Sequence, residues 1–134
     1  MVRTMADAVA ENIAALRDED WAIREEAAVC LGTLRDGRAV DPLVVLLQDT
    51  DRAVRQAAIG ALTAIGEPAV LALIGCVTHP DSGVQEAAVG ILAVIGDQRA
   101  IPALLRCVGS GNWIVRAQAA KALGRIGDPQ TAAA

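Results

Sequence analysis

The stretch from Asp51 to Pro68, DRAVRQAAIGALTAIGEP, decides the fold of this chain. Ala58, Leu62 and Ile65 recur at helical spacing, a short polar residue stands before the run, and glycine and proline close it. The same segment returns along the chain, beginning at Asp20, Asp51, Asp81 and Asn112. Arg24, Arg55, Gln85 and Arg116 mark one column, at spacings of 31, 30 and 31 residues. Ala27, Ala58, Ala88 and Ala119 form the next, followed by Leu31, Leu62, Leu92 and Leu123, then Leu34, Ile65, Ile95 and Ile126. In the first repeat Ile23, Ala27, Leu31 and Leu34, with Cys30 beside them, make one apolar stripe. Each repeat therefore opens with a capped helix, which ends at a turn starting at Arg35, Gly66, Gly96 or Gly127.

A second amphipathic stretch follows the first three turns. Its expected inward faces are Val40, Leu43, Val44 and Leu47; Val70, Leu73, Ile74 and Val77; and Ile101, Leu104, Leu105 and Val108. A helical hairpin of about thirty residues cannot bury its own face, so the units must stack as a solenoid. The expected organisation is one domain, 1–134. It comprises an N-terminal half-repeat over 6–17, full repeats over 20–48, 51–78 and 81–109, and an incomplete repeat over 112–134.

Composition fits close stacking. Of 134 residues, 54% are apolar, with two Trp and no Phe or Tyr, so Ala, Leu, Val and Ile must fill the core. A formal charge of −4 and the lack of rings argue against nucleic-acid binding, which uses basic faces and stacking platforms. No apolar run reaches the roughly 18 residues of a membrane span. The N-terminal segment lacks the apolar block of an export signal, and three cysteines form no CxxC pair. The expected compartment is the cytoplasm.

The recurring Asp-x-x-Val-Arg-x-x-Ala-x-x-x-Leu-Gly-x-Ile-Gly-Asp pattern resembles the HEAT-like repeats of phycobilisome (bilin) lyases, over residues 18–130. It is also similar to designed consensus versions of that repeat, from which Gln85, Arg35 and the cysteines depart. The resemblance implies an all-α fold, a right-handed α-α superhelix, with the second helices lining its concave face. It does not fix a function. Resembling deoxyhypusine hydroxylases carry repeated His-Glu pairs as iron ligands. This chain has one histidine, His79, followed by Pro80, which speaks against that activity. The acidic balance speaks against a resembling DNA glycosylase. No nucleophile–base pair or phosphate-cradling loop is recognisable, so neither a catalytic residue, a metal nor a cofactor is expected.

The leading expectation is a non-catalytic protein-interaction scaffold. The alternative is an accessory subunit of a modifying enzyme, lyase-like or chaperone-like. Positions off the second-helix stripes supply the candidate partner contacts: Asp41, Val45, Gln48, Leu71, Thr78 and Arg106. Trp21 and Trp113, equivalent in the repeat, either cover the preceding hairpin or anchor a partner. Arg24, Arg55 and Arg116 are expected to form a ladder of ion pairs with the turn acids Asp36, Glu67, Asp97 and Asp128, interrupted at Gln85. His79 reads as a solvated loop residue. The unfinished C-terminal repeat is expected either to be covered by self-association into a homodimer or by a partner, or to mark the chain as a fragment.

Overall fold

The computed structural model describes residues 2–133, with side chains as far as Gly127. It is all helical among those residues and forms two compact units, Met1–Ala69 and Val70–Ala134. The first holds α1 (Met5–Ala15), α2 (Trp21–Leu34), α3 (Val40–Val45) and α4 (Arg52–Ile65). The second holds α5 (Val70–Cys76), α6 (Ser82–Ile95), α7 (Ile101–Cys107) and α8 (Trp113–Ala133). Helices α2, α4, α6 and α8 are the first helices of the repeats. α3, α5 and α7 are the second helices, each entered through a one-turn 3-10 segment.

The starts of the first helices follow from chemistry legible in the sequence. Asp20, Asp51 and Asp81 accept hydrogen bonds from Ala22, Ala53 and Val84 amides at 2.8–3.0 Å. Asn112 accepts from Ile114 at 2.9 Å. Each cap satisfies an amide that the first turn leaves free, an effect worth about 1 kcal/mol. The ends differ. Gly66 and Gly96 take positive φ of 74° and 73°, and Arg35, in the same repeat position, adopts the left-handed conformation at φ 53°.

In the first unit α2 and α4 lie in close contact. A Cβ placed on Gly32 would stand 2.9 Å from the Ala61 Cα and 3.2 Å from its Cβ, so only glycine fits at this crossing. Around it Ala28, Leu31, Leu43, Val54, Ala58 and Leu62 are fully buried. In the second unit Val70, Leu73, Val84, Leu92, Leu104, Val115 and Ala119 form the corresponding core. Each buried Leu or Val contributes roughly 1.5–3 kcal/mol by leaving water.

Three expectations require correction. Ile23 is 41% exposed, although Val54, Val84 and Val115 in its column are buried, because no helix covers that side of α2 among the described residues of the unit. Leu105 and Val108 face solvent; the inward residues of α7 are Ala103, Leu104 and Cys107, one step round the helix from the expected stripe. Small side chains hold the core positions there, which a reading weighted toward large hydrophobes misplaces. Finally, α8 does not stop at Gly127 but continues to Ala133.

Candidate functional site

The loop before each first helix carries a repeated construction that the side-chain pattern did not reveal. Asp18, Asp49, His79 and Ser110 hold one repeat position, and each accepts the amide of the capping residue two places on: Asp20, Asp51, Asp81 and Asn112, at 2.9–3.1 Å. His79 thus uses Nδ1 as an acceptor, which puts its proton on Nε2. It is a turn-forming residue, not merely a solvated one. The arginine column pins the same loops. Arg24 Nη1 donates to the Asp18 and Glu19 carbonyls, Arg55 Nη1 to the Asp49 carbonyl at 2.7 Å, and Arg116 Nη1 to the Ser110 carbonyl at 2.7 Å. The shorter Gln85 reaches the Val77 carbonyl at 3.1 Å.

The expected ladder is wrong in the partners of Arg24, Asp36 and Asp97. Arg24 forms a two-pronged ion pair with Asp49, Nε to Oδ2 at 2.9 Å and Nη2 to Oδ1 at 3.1 Å, and does not pair with Asp36. Burial pushes the Asp49 carboxyl up, but hydrogen bonds from Arg24 and the Asp51 amide outweigh it and hold the group below its ordinary range. Asp36 and Asp97 cap the 3-10 turns by accepting from the Arg38 and Arg99 amides, and both pair with those side chains. Bonds to the Arg38 side chain and amide bring Asp36 down to about 2. A two-residue separation makes that pairing local and leaves the longer-range arginines free for the loop carbonyls. Asp128 lies outside the residues whose side chains are described.

The second helices present the candidate surface. In the first unit Asp41, Val45 and Gln48 are exposed. Val45 and Gln48 line a groove with Ile13, Leu16 and Pro42, beside the Arg24–Asp49 pair. In the second unit Leu71, Thr78 and Arg106 are exposed. Exposures of 68% at Val45, 69% at Leu71, 59% at Leu105 and 44% at Val108 set large apolar side chains in water. The last two belong to the surface although the sequence placed them in the core. Trp21 and Trp113 are both exposed, so neither indole is sealed beneath a hairpin. Cys30 is half-buried, whereas Cys76 and Cys107 are buried and burial raises both thiols. Among the described residues no three His, Cys, Asp or Glu side chains are placed to hold a metal ion. With His79 alone and its Nδ1 engaged, the residues present do not fit an iron centre.

No single described helix is long and apolar enough to cross a membrane.

Comparison with known proteins adds the following. The chain is similar to deoxyhypusine hydroxylase of Mus musculus, 41% identical over 70 residues, which is 51% of this chain and 23% of that protein. The Homo sapiens protein of that name is 44% identical over 62 residues, 45% of this chain and 20% of its own length. The chain thus spans about a fifth to a quarter of these curated relatives. Among solved structures it is similar to the complex of CpcE and CpcF of phycocyanin lyase from Nostoc sp. PCC7120, with TM-score 0.64 and 30% identity, over 98% of this chain and 56% of that one. An engineered protein matches at TM-score 0.54 and 28% identity, over 88% and 62% of the two chains.

These relatives overturn the expectation that the chain has no enzymatic function, since the curated ones bear the name of an enzyme. They sustain the fold and the lyase-type resemblance. The family model for HEAT repeats matches residues 9–75 and 72–134, and the chain belongs to the HEAT-repeat family.

Proposed function

We propose that this chain works inside an enzyme or enzyme complex that modifies a protein, and that its second helices hold that protein. The observation that carries the reading is the exposure of Val45, Leu71 and Leu105 on those helices and of Val108 at the end of α7. Protein recognition gains most from apolar side chains removed from water, and exposed polar residues, Asp41 and Gln48 in the first unit and Thr78 and Arg106 in the second, supply hydrogen-bonding groups to such a contact. The similarity to deoxyhypusine hydroxylase and to a lyase complex supports placing that recognition beside enzymatic chemistry rather than in a free-standing scaffold. Three free thiols, two of them buried, suit a reducing compartment such as the cytoplasm.

Val45→Glu and Leu71→Glu test the reading. Both side chains are already in water, so the variants should keep the helical circular-dichroism spectrum and thermal midpoint of the parent. Yield of the modified protein in cells carrying either variant should fall at least tenfold. Unchanged yield with both variants would overturn the assignment of this face.

A further inference from the structure

The exposed Val45 does not stand alone on α3. It borders a groove between α1 and α3 of about 550 Å³, within the range of clefts that hold ligands, about 300–1,000 Å³. Ile13, Leu16, Pro42, Val45 and Leu46 make its apolar side. Its polar side holds four charges, Arg17, Asp18, Arg24 and Asp49, with Gln48 and Thr50 beside them. Three of the four charges are engaged within the chain. Arg24 and Asp49 hold each other in the two-pronged pair, with side chains only 15% and 11% exposed. Asp18 gives one carboxylate oxygen to the Asp20 amide at 2.9 Å, and its charge adds to the field around Arg24. Beyond the lining, Arg55 acts on Asp49 and Asp51 on Arg24, one charge of each sign. Glu19 and Asp41 do not line the groove. Arg17 is exposed, and its guanidinium has no hydrogen bond or ion pair with another described residue. The Gln48 and Thr50 side chains are likewise exposed and unbonded.

The repeat itself does not demand this arrangement. In the second unit the places of Arg17, Arg24, Val45 and Asp49 are taken by Thr78, Gln85, Arg106 and Ser110, so neither the ion pair nor the aliphatic side chain facing a free cation recurs there. We propose that the α1–α3 groove takes an extended segment of the partner protein in which an aliphatic residue adjoins a glutamate or aspartate. The inference rests on the reading that the second helices hold a protein, and it names the chemistry that protein offers. The aliphatic side chain leaves water against Ile13, Pro42 and Val45, and the carboxylate pairs with Arg17. Gln48 and Thr50 offer hydrogen bonds to the main chain of the segment. A basic residue in the same place would meet the free Arg17 and find Asp49 already held by Arg24. The formal charge of −4 on the whole chain repels a run of acids, so the segment carries a single carboxylate at this point.

The test is an NMR titration of the isotope-labelled 134-residue chain with short synthetic peptides at low ionic strength. Three are Gly-Ser chains with both ends blocked, carrying Ile-Leu beside Glu, Gln or Lys at the centre; a fourth ends after Ile-Leu in a free carboxylate. Amide shifts should centre on Ile13, Leu16, Val45 and Gln48. The Glu peptide should bind about threefold tighter than the Gln peptide and about tenfold tighter than the Lys peptide, the scale of an exposed ion pair gained or reversed. Because the Arg17 side chain makes no bond within the chain, Arg17→Glu and Arg17→Gln should fold as the parent does. The first should reverse the order of the peptides and the second should level it, while Arg52→Glu, on α4 and outside the groove, should leave it unchanged. Absence of shifts with every peptide, an order unmoved by Arg17→Glu, or tightest binding of the peptide with the free carboxylate would overturn the proposal. The yields of Val45→Glu and Leu71→Glu test the second-helix reading separately: lowered yields with no charge preference among the peptides would leave that reading standing and remove this one.

Discussion

Replacing the same glycine in two repeats should change stability in opposite directions. At Gly32 an added methyl group would stand 2.9 Å from the Ala61 Cα, inside van der Waals contact with backbone that cannot rotate away. Overpacking of this kind costs about 1–3 kcal/mol. At Gly124 the methyl group meets open space. Both positions are helical, so both variants gain roughly 0.8–1.0 kcal/mol from replacing glycine with alanine. That gain is common to the pair, and the difference between them isolates the steric cost. Gly124→Ala should therefore raise the unfolding free energy by about 1 kcal/mol. Gly32→Ala should lie about 1–3 kcal/mol below it, at or under the parent. Urea unfolding followed by far-UV circular dichroism, at a dilution where the chain is monomeric, reads the difference. If the two variants were equally stable, α2 and α4 would not approach as described and the close-stacking argument would fail.

Two further outcomes follow from local features. Arg35→Gly should stabilise the chain by about 0.5–1 kcal/mol in the same unfolding assay, because a left-handed backbone costs a side-chain-bearing residue about 1–2 kcal/mol and glycine's greater unfolded freedom returns only part of that; a loss of stability would show that the Arg35 side chain is needed there. The Asp36 carboxyl, held at about 2 by Arg38, should contribute stability fully above the ordinary value of 3.8 and lose it as pH falls through 2. NMR titration of the side-chain carboxyl should find it there and raised only part of the way toward its ordinary value in Arg38→Ala, where the amide of residue 38 still donates; an unshifted titration in the parent would contradict the pairing.

The repeat frame was legible because caps, columns and turns each carry a side-chain signal at fixed spacing. Asp20, Asp51, Asp81 and Asn112 act as their chemistry suggests. The partners of the arginine column were not legible, because most of them are backbone carbonyls, which no residue type announces. The loop position filled by Asp18, Asp49, His79 and Ser110 escaped notice for a related reason: four side chains of different type perform one task, accepting a single amide. On α7 the periodicity was sound but its phase was not, since Ala103 and Cys107 offer less apolar bulk than Leu105 and Val108 yet hold the core. The candidate contacts off the stripes were legible as exposed positions. The enzymatic association was not, because the signal that carries it lies in the similarity to other proteins and not in any recognisable catalytic set of this chain.

Position-specific photo-cross-linking shows whether the second helices hold a protein. A photoreactive phenylalanine would be placed in turn at Val45, Leu71, Val29 and Val94, all exposed, the last two on first helices. In cells, the account predicts that one protein is captured from both Val45 and Leu71, that it carries the modification whose yield depends on Leu71, and that it is not captured from Val29 or Val94. Equal capture from all four positions, or capture confined to the first helices, would contradict it.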